Sequence, residues 1–555
     1  MLTTHHLRRG AAHRLLLALL MAAFGAALLT ARPAQAAFLY LVTNTDNSGA
    51  GSLRQAILDA NGTAGLDTIR FNIPGDGVQI INLASALPTI TDPVRIEGLS
   101  QPGASCAAWP PTLRIELRGE AVPPTSIGFS VTAGGSTISG LAITGFDTGI
   151  RLATVGGNQI ECNYIGIDAS GTGEVGNDLG IQILSNENTI GGGQAGQRNV
   201  IANATFHGIE LGGSATNNVI AGNYIGVNPA GNAARGNDDA GIHIGANAHG
   251  NFIGGQGAAF RNVISGNRLG VYIESNQNEV RGNLIGMNAA NSAVLPNTEH
   301  GVLLEGAEGN RIGGGGLGEG NLIAGNGGDG VRLLVGSQNN DVYGNRIGTN
   351  GSGADLGNGG AGVLLSSNSS GNRIGGVGSG QGNAIAHNQD DGVTVIGAGA
   401  AGNSIRGNAI HSNSGLGIDL RNPGATGVTP NDFGDGDAGG NGLQNYPVLG
   451  DFTVTEATGT LTVQINSTPN AMFTIDIYMN TLCDASGFGE GRRRIGDPVT
   501  INTNGQGNGS AQVEFPSGEV DAWFTATATA TDGATSEFSA CRLGIPKVYL
   551  PFIDR

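Results

Sequence analysis

Three side chains that can move protons or hold a sugar recur at one phase of the chain. Glu210, His243 and Tyr272 each stand at the second position after a glycine, in three successive copies of one short pattern. A carboxylate and an imidazole can exchange protons near neutral pH, and a phenol offers a stacking face with a hydrogen-bonding tip. Gln182 and Arg332 occupy the same phase and complete a candidate glycan-contact set. A solvated outer face would display the same residue types. A second group, Asn431, Asp432, Asp435, Asp437 and Asn441, crowds five oxygen-bearing side chains into one short acidic stretch. Closely spaced carboxylates repel unless a cation bridges them, and calcium prefers a flexible oxygen cage, so calcium is the candidate cofactor. No glutamate closes this stretch as an EF-hand would, and a solvated hinge is the alternative reading.

What must position the first set is a repeat. A Gly–apolar–any–apolar unit begins at Gly149, Gly180, Gly208, Gly241, Gly270, Gly301, Gly330, Gly362, Gly392 and Gly417. A self-similar period of this size marks a solenoid or propeller. Each unit is a short alternating run rich in Ile and Val, hence a strand with one buried face. Gly and Asn between the runs suit tight corners. Three such strands per turn, stacked ~4.8 Å apart, make a parallel β-helix. The middle residues then form one outer row: Arg151, Gln182, Glu210, His243, Tyr272, Leu303, Arg332, Leu364, Thr394 and Asp419. Leu303 and Leu364 are exposed in that register. Asn163, Asn223, Asn267, Asn283, Asn326, Asn345, Asn388 and Asn408 recur at fixed offsets and predict an amide ladder.

The phrases NVISGN, GNYIG and GVYI, with the segment VTNTDNSGAGSLRQAILDAN (42–61) and its continuation through SQPGAS (100–105), resemble secreted bacterial proteins with right-handed parallel β-helix repeats and a pectin-lyase-like fold. The resemblance covers most of the chain. It implies that fold and export, and leaves activity open, because the fold hosts lyases, hydrolases, epimerases, adhesins and inert scaffolds. The polygalacturonase-like enzymes of the fold carry Asn-Thr-Asp, Asp-Asp, Gly-His-Gly and Arg-Ile-Lys motifs. Here Asp238-Asp239 and Asp390-Asp391 sit at turns before Gly-led strands, as does Asp329, while His207 and His300 precede Gly208 and Gly301. Gly-His-Gly and Arg-Ile-Lys are missing, and a pectate-lyase calcium set is not traceable, so no catalytic residue is assigned.

Composition narrows the partners. Lys547 is the only lysine, and the net charge is −17. Arg8, Arg9, Arg14 and Arg32 lie in 1–36 without an acid, which leaves the remainder nearer −21. Binding a phosphate backbone needs clustered Lys and Arg, so nucleic acid is excluded as a partner. Residues 1–36 read as a signal peptide with a basic start, an apolar core at 15–29 and a small-residue cleavage site at Ala34-Gln35-Ala36. No later segment is long and apolar enough to span a bilayer, so the protein is expected to be secreted or on the cell surface. Four cysteines in an exported chain permit disulfides: Cys483 with Cys541, and less strongly Cys106 with Cys162.

Along the chain, 37–66 reads as an N-terminal cap whose helix begins at Ser52, with Gln55 three positions on and Leu53, Ile57 and Leu58 on one face. Residues 67–421 form the β-helix, 422–446 an acidic Gly-rich linker, 447–545 an Ig- or fibronectin-like β-sandwich, and 546–555 a tail. The glycine loops at 191–197, 254–260, 313–320 and 375–382 precede no helix and lack a phosphate-binding Lys. The expected function is that of an exported, non-catalytic adhesin or rigid scaffold with a polysaccharide or cell-surface glycan as partner. The alternative is a carbohydrate-active enzyme, lyase or hydrolase, using an outer-row acid and base.

Overall fold

The structure is a computed structural model that describes residues 37–454, 458–516 and 522–544. The expected signal peptide and tail lie outside them. From Leu39 to Arg421 the chain winds through three all-parallel sheets of 13, 12 and 11 strands, each strand hydrogen-bonded to its equivalent one turn away. This is a parallel β-helix. Its core is a continuous column of Ile, Val and Leu from every turn, including Ile242, Ile244, Val271 and Ile273, all at 0% exposure. Each such side chain contributes about 1.5–3 kcal/mol by leaving water.

The Gly-led strands form the third sheet. Its glycines are dictated by space more than by backbone conformation, unlike glycines between the strands such as Gly222 and Gly266, which take positive φ. A Cβ on Gly241 would lie 2.8 Å from Ile264 Cγ2 and from Asn267 Nδ2, and 3.0 Å from the carbonyl oxygen of Gly270 in the next turn. The corner asparagines form three columns, where the sequence predicted one. One runs Asn158, Asn188, Asn218, Asn251 and onward to Asn403. A second runs from Asn163 through Asn199, Asn223 and Asn262 to Asn408, and a third from Asn237 through Asn267 to Asn413. In each column the side-chain Nδ2 donates to the Oδ1 of the next turn. Buried amides need such partners.

Both ends of the solenoid are closed. The helix Leu53–Asn61 is capped by Ser52 Oγ, which accepts from the Gln55 amide at 3.2 Å, and it buries Leu53, Ala56, Ile57 and Ala60. Leu58 instead faces solvent at 48% exposure, because it lies one position off the buried stripe. At the other end, two antiparallel sheets of three and four strands pack around Phe452, Leu461, Phe473, Ile475, Phe515 and Phe524. Tyr478 and Phe538 from this unit join the β-helix core, and Asp476, fully buried, pairs with Arg406 at 2.6 Å. The open apolar end that a solenoid would otherwise expose is thereby covered. The cysteines pair as Cys106–Cys162 and Cys483–Cys541. Among the described residues, no helix is long and apolar enough to cross a membrane.

Candidate functional site

Strand pairing sets Gln182 beside Glu210, Glu210 beside His243, His243 beside Tyr272, and Tyr272 beside Leu303. Arg332 follows Leu303 in the same row. The outward phase of the third sheet is therefore continuous, and its members are hydrogen-bonded along it. Arg151 Nε donates to Gln182 Oε1 at 2.6 Å, and Gln182 Nε2 donates to Glu210 Oε2 at 2.7 Å. Phe206, His207, His243 and Tyr272 form a row of rings with centroids 3.8, 4.5 and 4.9 Å apart; the first two pairs are tilted and the last is stacked.

At Tyr272 the row gathers groups that the sequence reading missed. Tyr272 Oη lies 2.9 Å from Glu274 Oε1 and 2.7 Å from Glu305 Oε2. His243 Nε2 meets the other oxygen of Glu274 at 2.8 Å. Burial, followed by the hydrogen bonds to Glu305 and Glu274, pushes the phenol well above its ordinary pKa. The Nδ1 of His243 is buried without a hydrogen-bond partner. Glu274 and Glu305 are legible in principle: each stands two positions beyond an outward residue, where strand alternation points outward again. A hollow beside Glu274 is lined by Asn247, His249, Ser275, Asn276 and Gln277.

Around this centre, Arg268 bridges Asp239 and Glu299. His207 lies behind His243, and burial, then the neighbouring imidazole, lowers its pKa to about 4. One turn beyond Leu303, Arg332 faces Asp329 at 3.3 Å and His300 at 3.2 Å. Burial depresses His300 and raises Asp329.

The far end of the row departs from expectation. Leu303 and Leu364 are 9% and 8% exposed, not open to solvent. Leu303 packs with Ala240 and Leu269, against Tyr272 and Leu334, so its neighbours along the sheet cover it. Thr394 and Asp419 are fully buried. Beside them, Asp391 accepts from Thr394 Oγ1, and Glu537 of the C-terminal unit accepts from the backbone of Leu420 and Thr429. Burial and the adjacent Asp391 raise Asp419 to about 7, and burial raises Glu537 to about 8.

The candidate metal set is divided. Asp432, Asp435 and Asp437 bring carboxylate oxygens within 4.8 Å of one another. Asn431 is instead spent on the Tyr446 backbone through both ends of its amide. Asn441 accepts from Asn403 at the end of the first asparagine column and donates to Thr535. Asp435 itself accepts from the Asn445 amide and from Ser467 Oγ, tying the linker to the C-terminal unit.

No family model and no curated protein matches the chain. Among solved structures, it is similar to the periplasmic alginate epimerase AlgG in a mutant form, at 14% identity over 64% of this chain and 73% of that one, with a TM-score of 0.28. It is also similar to an alginate lyase from Paenibacillus sp. str. FPU-7, at 14% identity over 62% and 97%, with the same TM-score. The activities named there are those of the two neighbours, and likeness at this level carries no functional argument.

Proposed function

We propose that the protein is a carbohydrate-active enzyme that lays a polysaccharide strand along the outer face of the third sheet and cleaves it at Glu274 and Glu305. One observation carries the reading. The two carboxylate oxygens on Tyr272 stand at 2.9 and 2.7 Å from one phenol oxygen, so they can be no farther apart than the sum of those two distances. That limit admits the separation of about 5–5.5 Å at which carboxyl pairs serve glycoside hydrolysis with retention. In such a pair one carboxyl acts as the acid that protonates the departing glycosidic oxygen, while the other, as carboxylate, attacks the anomeric carbon. Water then releases the sugar and restores the proton. Tyr272 positions both acids, His243 fixes Glu274 through its second oxygen, and the ring stack offers sugars an apolar surface. An exported setting fits the two disulfides.

A non-catalytic adhesin or rigid scaffold is the second reading. It is favoured by the way Tyr272, Glu274, Glu305 and His243 already hydrogen-bond one another on a sheet face. Release of reducing ends from a polysaccharide panel, compared between the wild type and Glu305→Gln, decides between them. Turnover that the variant loses supports the enzyme. Binding without turnover in the wild type supports the adhesin.

A further inference from the structure

Resting on the carbohydrate reading, we infer that the glycan taken by this face carries free amino groups, as in a polymer of unacetylated amino sugar. Between the turns of Glu210 and Glu305 the face presents five carboxylates: Glu210, Asp239, Glu274, Glu299 and Glu305. The guanidinium among them, Arg268, is shared between Asp239 and Glu299. Arg151, at the near end, is held by Gln182. Among the described residues, no Lys or Arg lies within ion-pair distance of Glu210, Glu274 or Glu305; Glu210 accepts from the neutral Gln182, and Glu274 meets His243 and Tyr272. His207 is neutral at pH 7 and adds no cation.

The side chain of Glu274 is 37% exposed and that of Glu299 48%, so both are half in water and available to a ligand. A uronate strand would set further carboxylates against this surplus, under a net molecular charge of −17. An ammonium group meets the opposite situation: Glu210, Glu274 and Glu305 lie on one face with only neutral Gln182, Tyr272 and the His243 imidazole as side-chain partners. The half-exposed Phe206 and the partly exposed Tyr272, at the two ends of the ring row, offer the surface on which sugar rings pack.

The test is calorimetric titration of the full chain, with a chelator present, against glucosamine oligomers, their N-acetylated counterparts and oligouronates. Glucosamine oligomers should bind at least ~10-fold more tightly than the acetylated ones at low salt, and the gap should shrink as salt rises. Glu210→Gln, checked for an unchanged melting temperature, should narrow the same gap. Equal affinity for acetylated oligomers, or tighter binding of uronates, would overturn the amino-sugar assignment and leave the carbohydrate reading standing. Failure of every oligosaccharide to bind would remove both.

Discussion

The second and third sheets are wound from the same repeat, yet they turn opposite surfaces to the outside. On the second, Tyr164, Val200, Tyr224, Val263, Leu284 and Leu322 point outward and are still buried, from 0% to 9% exposed. The loops after alternate strands fold back over them, stacking on one another where the Ala289 amide donates to Gly231. Trp109 closes one edge, with Arg198 held between its ring and that of Tyr224 at 4.8 and 4.3 Å. On the third sheet the outward residues from Arg151 to Tyr272 are polar and partly exposed, and Arg151, Gln182 and Glu210 are hydrogen-bonded in line. The contrast teaches that a solenoid's inward phase fixes its fold, while each outward phase is free to become a second core or a working surface.

The sharpest way to test that division is through the chemistry assigned to the open face. Glu274→Gln or Glu305→Gln should lower kcat by about 10²–10⁴-fold, as loss of a general acid or base does, with little change in melting temperature. The measurement is initial rate on the best substrate of the panel. Stability should show the reverse pattern. Val200→Asp places a carboxylate under the roof of the second sheet and should cost ~3 kcal/mol or more. Gln182→Ala on the third sheet should cost under ~1 kcal/mol. Thermal melts of the two variants check the pair, and equal losses would erase the distinction between the faces.

The buried end of the open row should behave as neither. Asp419 and Glu537 sit at about 7 and about 8 in the folded protein, above unfolded values of roughly 3.9 and 4.3. Their stabilising contribution is therefore full below pH ~4 and is lost as pH rises through the folded values. Melting temperature should fall between about pH 5 and 8.5, and Asp419→Asn should flatten the slope. Calcium is expected to have the smallest effect. If Asp432, Asp435 and Asp437 hold it, millimolar calcium should raise the melting temperature by roughly 1–3 °C, through binding to the native state only. A chelator should reverse the rise, and Asp437→Ala should abolish it.

The row at Gln182, Glu210, His243 and Tyr272 is legible because Gly208 and Gly241 have no room for a Cβ, so the glycine marks the register by itself. The asparagine columns are legible as a habit of the sequence but not as three objects, since Asn267 and Asn283 look alike locally and stack on different corners. Burial of Leu303 depends on Tyr272 and Leu334, which no local pattern announces. Asp419 is readable as outward yet not as covered, because its cover comes from the segment that follows and from Glu537, far along the chain. The acidic stretch at 431–441 misleads for a related reason. Asn431 and Asn441 look like ligands by composition, and the fold has already engaged both.

The three asparagine columns all run one way, each amide giving its hydrogen to the turn that comes later in the chain. A pair of turns can therefore be copied or deleted whole without reversing a column or breaking the alternation of the roof loops, provided its corner asparagines travel with it. A fractional change cannot be absorbed, since it would leave a buried amide facing nothing. Length is thus a quantised property of this protein, adjustable in two-turn steps of about 10 Å. Lineages that gain or lose such units would move the C-terminal sheets nearer to or farther from the N-terminal helix while leaving both ends chemically unchanged.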